Sequence, residues 1–483
     1  MLLSSDLATG SHSMGARDEH NREFFADVDM RGMGLWHGQR ACDIGQVPAL
    51  LLETLQRLRN DGLKLDGAKG AYSASVRQHD MVVLGEDGSV LMPALTWQCN
   101  AASKEVEELR AAGVEKSVGR LEPRFILPKL MWALREVPQL REKIWHVMTT
   151  GDWIAYQLTG VLSLSTSDAL SNGLLDQATK KRADNEIRAA GMNPDWFPHV
   201  VQSGHAVGKV GQAEPRQLTP EWRELRRLLQ GWDVVAGLGD NHATGVGCGL
   251  GGDRHATIVV SAGNSGTINR TCAPESLTAG NAASFEFYSD RLLLMMLADC
   301  SVWFDRFVRQ FAPAYEQQLD LLDQLALEAD PAKVRRVLHL QGKEKYPPGF
   351  SSMTLGEQVA STQFSIMLEL LLLVKSMLAE VVDPSPVTTF VLTGGLGQSP
   401  FFQQIFQAGI RLLAPDARVT LSARTGPMRY QTATYGALLN AELPQRAYNL
   451  ATLVKERCPL AELPALDLRA KVHYGYLLQA SGL

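Results

Sequence analysis

The chain has 483 residues, 45% of them apolar and 20% charged, and 47 Lys and Arg against 52 Asp and Glu leave a formal charge of −5 at pH 7. That length exceeds what one hydrophobic core usually serves, so two domains of roughly 200 to 250 residues are expected, and the ordinary globular composition excludes a disordered chain. No basic run exceeds Lys180-Lys181-Arg182 and Arg226-Arg227, which argues against nucleic-acid binding.

Six cysteines (Cys42, Cys99, Cys248, Cys272, Cys300, Cys458) show neither CxxC nor His-paired spacing. Neither a zinc site nor a disulfide framework is expected, and reduced thiols fit a cytoplasmic protein. Met1-Leu2-Leu3 followed by Ser4-Ser5-Asp6 lacks the basic start and sustained apolar run of a secretory signal. Leu370 to Val374 is bracketed by Glu369 and Lys375, too short for a membrane span, and reads as part of a buried helix.

In chain order, Asp6-Leu7-Ala8-Thr9-Gly10-Ser11 reads as a short strand entering a small-residue turn, and 84–91 as a hairpin. Amphipathic helices are predicted over 101–111 and 126–136. Val234 to Ala243 is an apolar strand that ends in a glycine turn carrying Asp240 and Asn241. The cluster Gly245, Gly247, Gly249, Gly251, Gly252 is the expected hinge, with a domain boundary near 251. Ala256 to Val260, bounded by Arg254-His255, is a buried strand leading into Ser261-Ala262-Gly263-Asn264-Ser265-Gly266. A helix is predicted over 364–382. Thr388 to Thr393 is another strand, ending in Gly394-Gly395-Leu396-Gly397 before a helix over 402–413. Alternating strands and helices predict an α/β architecture. A strand and small-residue turn opens each half, which suggests two related domains.

Three turns could carry chemistry. Phosphoryl transfer to an alcohol needs a carboxylate that accepts the hydroxyl proton, and Asp240 at the end of a strand suits that role; it equally suits a cap on the following helix. Thr9-Gly10-Ser11 and Gly263-Asn264-Ser265-Gly266 can present backbone N–H groups to an anion, or serve only as turns. Gly394 to Gly397 before a helix is a stronger nucleotide contact, yet it is neither a P-loop nor a dinucleotide fingerprint, which disfavours Walker-type NTPases.

These segments and their order resemble the FGGY carbohydrate kinase family, its xylulokinase-like branch above all, up to about residue 441. The resemblance is carried by Gln78-His79 with Val82-Val83-Leu84 and Asp87-Gly88, by Pro93 to Trp97, Leu127 to Trp132 and Asp152 to Gly160. Thr166-Ser167-Asp168-Ala169, Gly173 to Asp176, Gly237 to Asn241, Thr393-Gly394-Gly395 and Tyr435 to Leu439 complete it.

The resemblance implies two ribonuclease-H-like (actin-like ATPase) domains flanking a central cleft: a sugar-binding domain over 1–250, a nucleotide-binding domain over 251–445 and a helical tail over 446–483. It implies Asp240 as catalytic base, Asp6 with Asp240 as Mg²⁺ ligands, and Gln78, His79, Trp97, Asp240 and Asn241 at a sugar or polyol. ATP is implied at Thr9, Gly10, Ser11, Gly263, Asn264, Gly266, Gly394, Gly395 and Gly397. Trp97 suits core filling equally well, and Asp168 is read as holding a local turn. The implied protein is a cytoplasmic kinase of a ketose or polyol, free of nucleic acid and membrane, with a homodimer as a possible assembly.

Four segments depart from the family pattern. Ala8 replaces a glycine and Ser13 a basic residue in the first hairpin, where Arg17 is the candidate substitute cation. Asn264 replaces a threonine, Gly342-Lys343-Glu344-Lys345 replaces a Gly-Glu-Arg segment, and Cys99-Asn100-Ala101 stands where Asp-x-Arg is usual. A second reading follows: a sugar- or nucleotide-binding homologue with weakened or lost catalysis and a regulatory role. A different actin-like ATPase is a more distant third, opposed by Asp240 with Gln78-His79.

Overall fold

The structure, a computed structural model, describes all residues except 66, 254, 277–282, 341–342, 382–385 and 465–467, and the side chains of 340 and 468–472. Arg254, Gly342 and the predicted helix end at 382 therefore lie outside the described residues.

Two sheets organise the chain. The first holds β1 (Leu2–Leu7), β2 (Ser11–Arg17), β3 (Glu23–Asp29), β4 (Ala71–Val76), β5 (Ala206–Lys209) and β6 (Asp233–Gly239), in the order β5-β6-β4-β1-β2-β3. β1 and β2 form an antiparallel hairpin, whereas β1, β4 and β6 run parallel. Every residue of β4 is buried, as a strand covered on both faces requires. The second sheet holds β7 (Thr257–Ala262), β8 (Gly266–Cys272), β9 (Ala283–Phe287), β10 (Asp290–Leu297), β11 (Thr389–Thr393), β12 (Arg418–Ser422) and β13 (Leu460–Glu462), in the order β9-β10-β8-β7-β11-β12-β13. Here β7 and β8 form the antiparallel hairpin, and β7, β11 and β12 run parallel. The two sheets repeat one plan, hairpin first and parallel strands beside it. That repetition agrees with the weak duplication at Asp6 and Ser261.

Helices follow the expected patterns with shifted ends. The first are α1 (Ile126–Glu136) and α2 (Thr150–Thr159), then α3 (Asp240–Gly247), which starts at Asp240 itself. The predicted helix 364–382 is the end of a longer one, α4 (Leu355–Ala379). It starts at residue 355 because Thr354 and Glu357 form a capping box. By length and composition α4 could cross a bilayer, but it is largely buried in the second core, where its Phe364 and Leu371 share a cluster with Phe390, Phe402 and Phe406. Pro400 at the first helical position and the Ser399 cap start α5 (Pro400–Leu413).

The chain divides into two compact units. The first comprises 1–247, 284–291 and 425–457, the second 248–283, 292–424 and 458–483. This differs from the expected linear cuts at 250 and 445. The reason lies in α6 (Thr432–Glu442), which packs on β1, β4 and α3. A Cβ at Gly436 would overlap the Ala243 carbonyl, and one at Gly247 would overlap that of Thr432. Gly247 therefore serves a close helix crossing rather than a hinge, while Gly249 and Gly251 take the positive φ values of 102° and 89°. The tail also splits: 446–457 belongs to the first unit, and α7 (Leu468–Ala480) packs on α5 in the second, with Tyr474 edge-on to Phe401.

Candidate functional site

Because β1, β4 and β6 are adjacent and parallel, their carboxyl ends share one edge of the first sheet, where ligands bind in open α/β sheets. Asp6 lies beside Ser75 in the register, and Asp240 directly follows Gly239, the last residue of β6. The Ser75 hydroxyl donates to Asp6 Oδ1 at 2.6 Å. Burial pushes the Asp6 carboxyl up to about 6 against the opposing pull of Ser75 and Arg77. Asp240 is pushed up to about 7, by burial first and the Asp6 charge second. Its Oδ1 accepts the Asn241 N–H at 2.8 Å, which ties the carboxylate to the first turn of α3.

A cation that the sequence reading passed over stands at this edge. Arg77 is 1% exposed, pairs with Asp80 at 2.6 Å and donates from Nη1 to the Ala8 carbonyl at 2.8 Å. It therefore holds the hairpin tip, where Ala8 N–H bonds the Ser11 carbonyl. The Arg77…Asp80 spacing was a visible signal beside Gln78-His79. Arg17 does not fill that place: its guanidinium is held by Glu442 at 2.8 Å and Glu23 at 3.0 Å. Ser13 likewise turns into the packing, bonding Thr434 Oγ1 at 2.7 Å.

Thr9, Gly10 and Ser11 form the tip, and a Cβ at Gly10 would meet nothing within 4 Å. Trp97 is half-buried and donates from Nε1 to Thr9 Oγ1 at 3.1 Å, so it braces the hairpin rather than filling the core. Gln78 and His79 continue directly from Arg77. Gln78 Nε2 lies 3.3 Å from His242 Nδ1, and Asn241 Nδ2 donates to Gln78 Oε1 at 3.5 Å and Asp240 Oδ1 at 3.3 Å. His79 stacks on Phe125 with centroids 4.9 Å apart, and Phe285 lies 6.4 Å away. Burial, then the charges of Arg124 and Lys129, hold the His79 imidazole well below its usual value of 6.5, so it is neutral. Phe285 comes from the distant segment 284–291, for which the sequence carries no local signal.

Asp168 does more than hold a turn. It is buried, its carboxyl is held well above the ordinary range by burial and by Asp152, and Thr149 Oγ1 lies 2.7 Å from Asp152 Oδ2 and 3.2 Å from Asp168 Oδ2. Two buried carboxyls this close to one hydroxyl oppose each other's ionisation. A Cβ at Gly239 would stand 2.7 Å from Gln78 Cγ and 3.2 Å from Asp168 Oδ1, so a side chain before Asp240 would displace Gln78.

The remaining expected residues lie in the second unit. Gly263, Asn264 and Ser265 form the β7–β8 turn, where the carbonyls of Gly263 and Asn264 accept the N–H groups of Ser301 and Cys300. Gly266 is a packing residue, since its Cβ would press on Leu370 and Cys300. Gly394 has φ +89° and lies tight on the Ala262 backbone, which brings the 394–397 turn against the end of β7; a Cβ at Gly395 would meet nothing within 4 Å.

Residues 44–247 match the family model for the N-terminal domain of the FGGY family of carbohydrate kinases. Over that range, less than half of its length, the chain is similar to that family. The matched range holds Gln78, His79, Trp97, Asp240 and Asn241 and leaves out the hairpin with Asp6. Among curated relatives, the xylulose kinase of Lactococcus lactis is 28% identical over 205 residues, covering 41% of this chain and 38% of its own length. The autoinducer-2 kinase of Salmonella choleraesuis is 27% identical over 203 residues, covering 41% and 36%. The alignments thus span well under two thirds of these relatives. Solved structures match over the whole chain: a xylulose kinase from Brucella ovis (17% identity, TM-score 0.81, covering 99% of this chain and 97% of that one) and the Plasmodium falciparum glycerol kinase with ADP (13%, 0.77, 100% and 98%). At that identity they establish the fold, α/β with two actin-like domains.

Proposed function

We propose that the protein is an ATP-dependent kinase that phosphorylates a hydroxyl of a ketose or polyol, a xylulose-like sugar first among candidates, with Asp240 as general base. The observation that carries this reading is Asp240 raised to about 7 beside Asp6 at the carboxyl end of parallel strands. A base with that affinity is half deprotonated near neutral pH and can take the proton as the hydroxyl attacks. Asn241 and the start of α3 fix its orientation.

Among the described residues no group of three or more His, Cys, Asp or Glu forms a metal site. Asp6 and Asp240 offer two hard carboxylates whose mutual repulsion a divalent cation relieves, and that donor set suits Mg²⁺ held jointly with phosphate oxygens. When bound, Mg²⁺ neutralises charge on the phosphates of ATP. In the first unit Thr9 to Ser11 are proposed phosphate contacts; in the second, taken by itself, Gly263, Asn264, Gly394, Gly395 and Gly397 are proposed nucleotide contacts. Gln78, His79 and Trp97 belong to the sugar side, the first and last through the neighbours they brace. All six cysteines are buried; a cytoplasmic location is proposed from their spacing, which lacks a disulfide framework, and size in solution tests the expected homodimer.

The non-catalytic reading rests on the hairpin changes at Ala8 and Ser13 alone; Arg77 reaches that hairpin through the Ala8 carbonyl but is paired with Asp80, as Arg17 is with Glu442. ADP release with a panel of pentuloses, heptuloses, polyols and sugar acids tests the function. Turnover stimulated by one sugar class and lost in Asp240→Ala is expected; no stimulation by any of them, or stimulation unchanged in Asp240→Ala, refutes the reading.

A further inference from the structure

Asn172 is fully buried, and both ends of its amide are committed. Nδ2 donates to the Gln78 carbonyl at 2.9 Å and the Asp168 carbonyl at 2.8 Å. Oδ1 accepts the Ile126 N–H at 3.1 Å and lies 3.3 Å from His79 Nδ1. A flipped amide would set its oxygen against two carbonyls and its N–H₂ against a donor, so only this orientation satisfies the network. An oxygen that can only accept then faces His79 Nδ1, and that nitrogen must carry the proton. In a neutral imidazole the other nitrogen, Nε2, is left with a lone pair. Among the described residues Nε2 has no hydrogen-bond partner, and His79 keeps 5% of its surface exposed.

The charged and titratable groups facing the ring do not reverse this assignment. Arg124 and Lys129 are cations and oppose a second proton. Lys129 Nζ is itself occupied by the carbonyls of Leu95 at 3.0 Å, Thr96 at 3.3 Å and His79. His242 has its own tautomer fixed, because Nε2 faces the Glu286 carbonyl at 2.8 Å and must donate, leaving Nδ1 to accept from Gln78.

We propose that Asn172 is a positioning residue that locks His79 as the Nδ1–H tautomer, so that Nε2 accepts a hydrogen bond from the substrate and selects for a free hydroxyl at that position. The inference rests on the kinase reading for its substrate, but not for its chemistry at the ring. A polyol carbon bearing OH satisfies Nε2; a carbonyl or an O-alkyl group, which only accept, leaves two lone pairs opposed.

The test is a two-bond ¹H–¹⁵N correlation spectrum of the ¹⁵N-histidine-labelled full chain, with His79 assigned by its loss in His79→Gln. His79 is expected with Nδ1 protonated and Nε2 bare, and Asn172→Ala is expected to shift the ring toward Nε2–H. Nε2–H in the unaltered protein overturns the proposal even if Asn172→Ala does not fold, and an unchanged tautomer in a folded Asn172→Ala overturns the role of Asn172. For whichever polyol is turned over, Asn172→Ala should raise KM about tenfold or more with kcat little changed, and one O-methyl analogue should lose binding to a similar degree. Equal tolerance of every O-methyl analogue refutes the hydroxyl selection. If no polyol is turned over at all, the kinase reading fails while the spectrum still decides the tautomer.

Discussion

At the scale of single residues, Asp240 governs two properties at once. As the proposed base it must be deprotonated, so kcat/KM is expected to rise with pH through about 7 and then level, and Asp240→Asn should lower kcat by about 10²- to 10⁴-fold. The same shift acts on stability in the opposite sense. A carboxyl whose ordinary value is 3.8 and whose folded value is about 7 keeps a proton in the folded state that the unfolded chain has released. The penalty is absent below about pH 4, grows as pH rises and is complete above about pH 7. Asp240→Asn removes it, so urea unfolding at pH 8 should show the variant more stable by about 2 kcal/mol, discounted from the full shift for the partial exposure of the site, with the gain vanishing toward pH 4. Equal stabilities at pH 8 would show that the carboxyl is not strained by burial. Asp240 was legible in the sequence because its glycine turn follows an apolar strand. Arg77 left a signal in its spacing to Asp80, but its role, like that of Asn172, depends on Ala8, Ile126 and Asp168, which only the folded chain brings together.

At the scale of elements, the base is held by the crossing of α3 and α6, where Gly247 and Gly436 let two backbones touch. Any side chain there forces the helices apart, so Gly436→Ala should cost about 3 kcal/mol in thermal unfolding and lower kcat together with stability. A variant as stable as the parent would mean that the crossing has slack. The strands and most helices were readable from periodicity, since each carries its own pattern. Helix ends shifted where a cap such as Thr354 with Glu357 outweighed the apolar repeat. The glycine cluster was readable as special but not as to purpose: a hinge and a tight crossing need the same residue, and the partner helix lies almost 200 residues on.

At the scale of the whole molecule, the first unit is built from three separate stretches of chain. Cutting at the boundary that the sequence suggested leaves β1 and β4 without α6, and leaves Arg17 without Glu442, two buried opposite charges 425 residues apart in the chain. Residues 1–250 alone should therefore give poorly dispersed amide spectra and precipitate, whereas 1–247 joined by a flexible linker to 425–457 should recover much of the fold; a well-folded 1–250 fragment would contradict this. No local pattern could reveal the return of the chain, because helix 432–442 looks like any other small-residue helix. The Arg17–Glu442 pair also sets a timetable for synthesis. A ribosome that has finished residue 247 must still translate about 200 residues before the closing helix emerges, a wait of about 10 to 40 s at ordinary rates. Through that interval the surface of β1 and β4 that α6 later covers stays exposed, the kind of apolar surface that chaperones shield during synthesis.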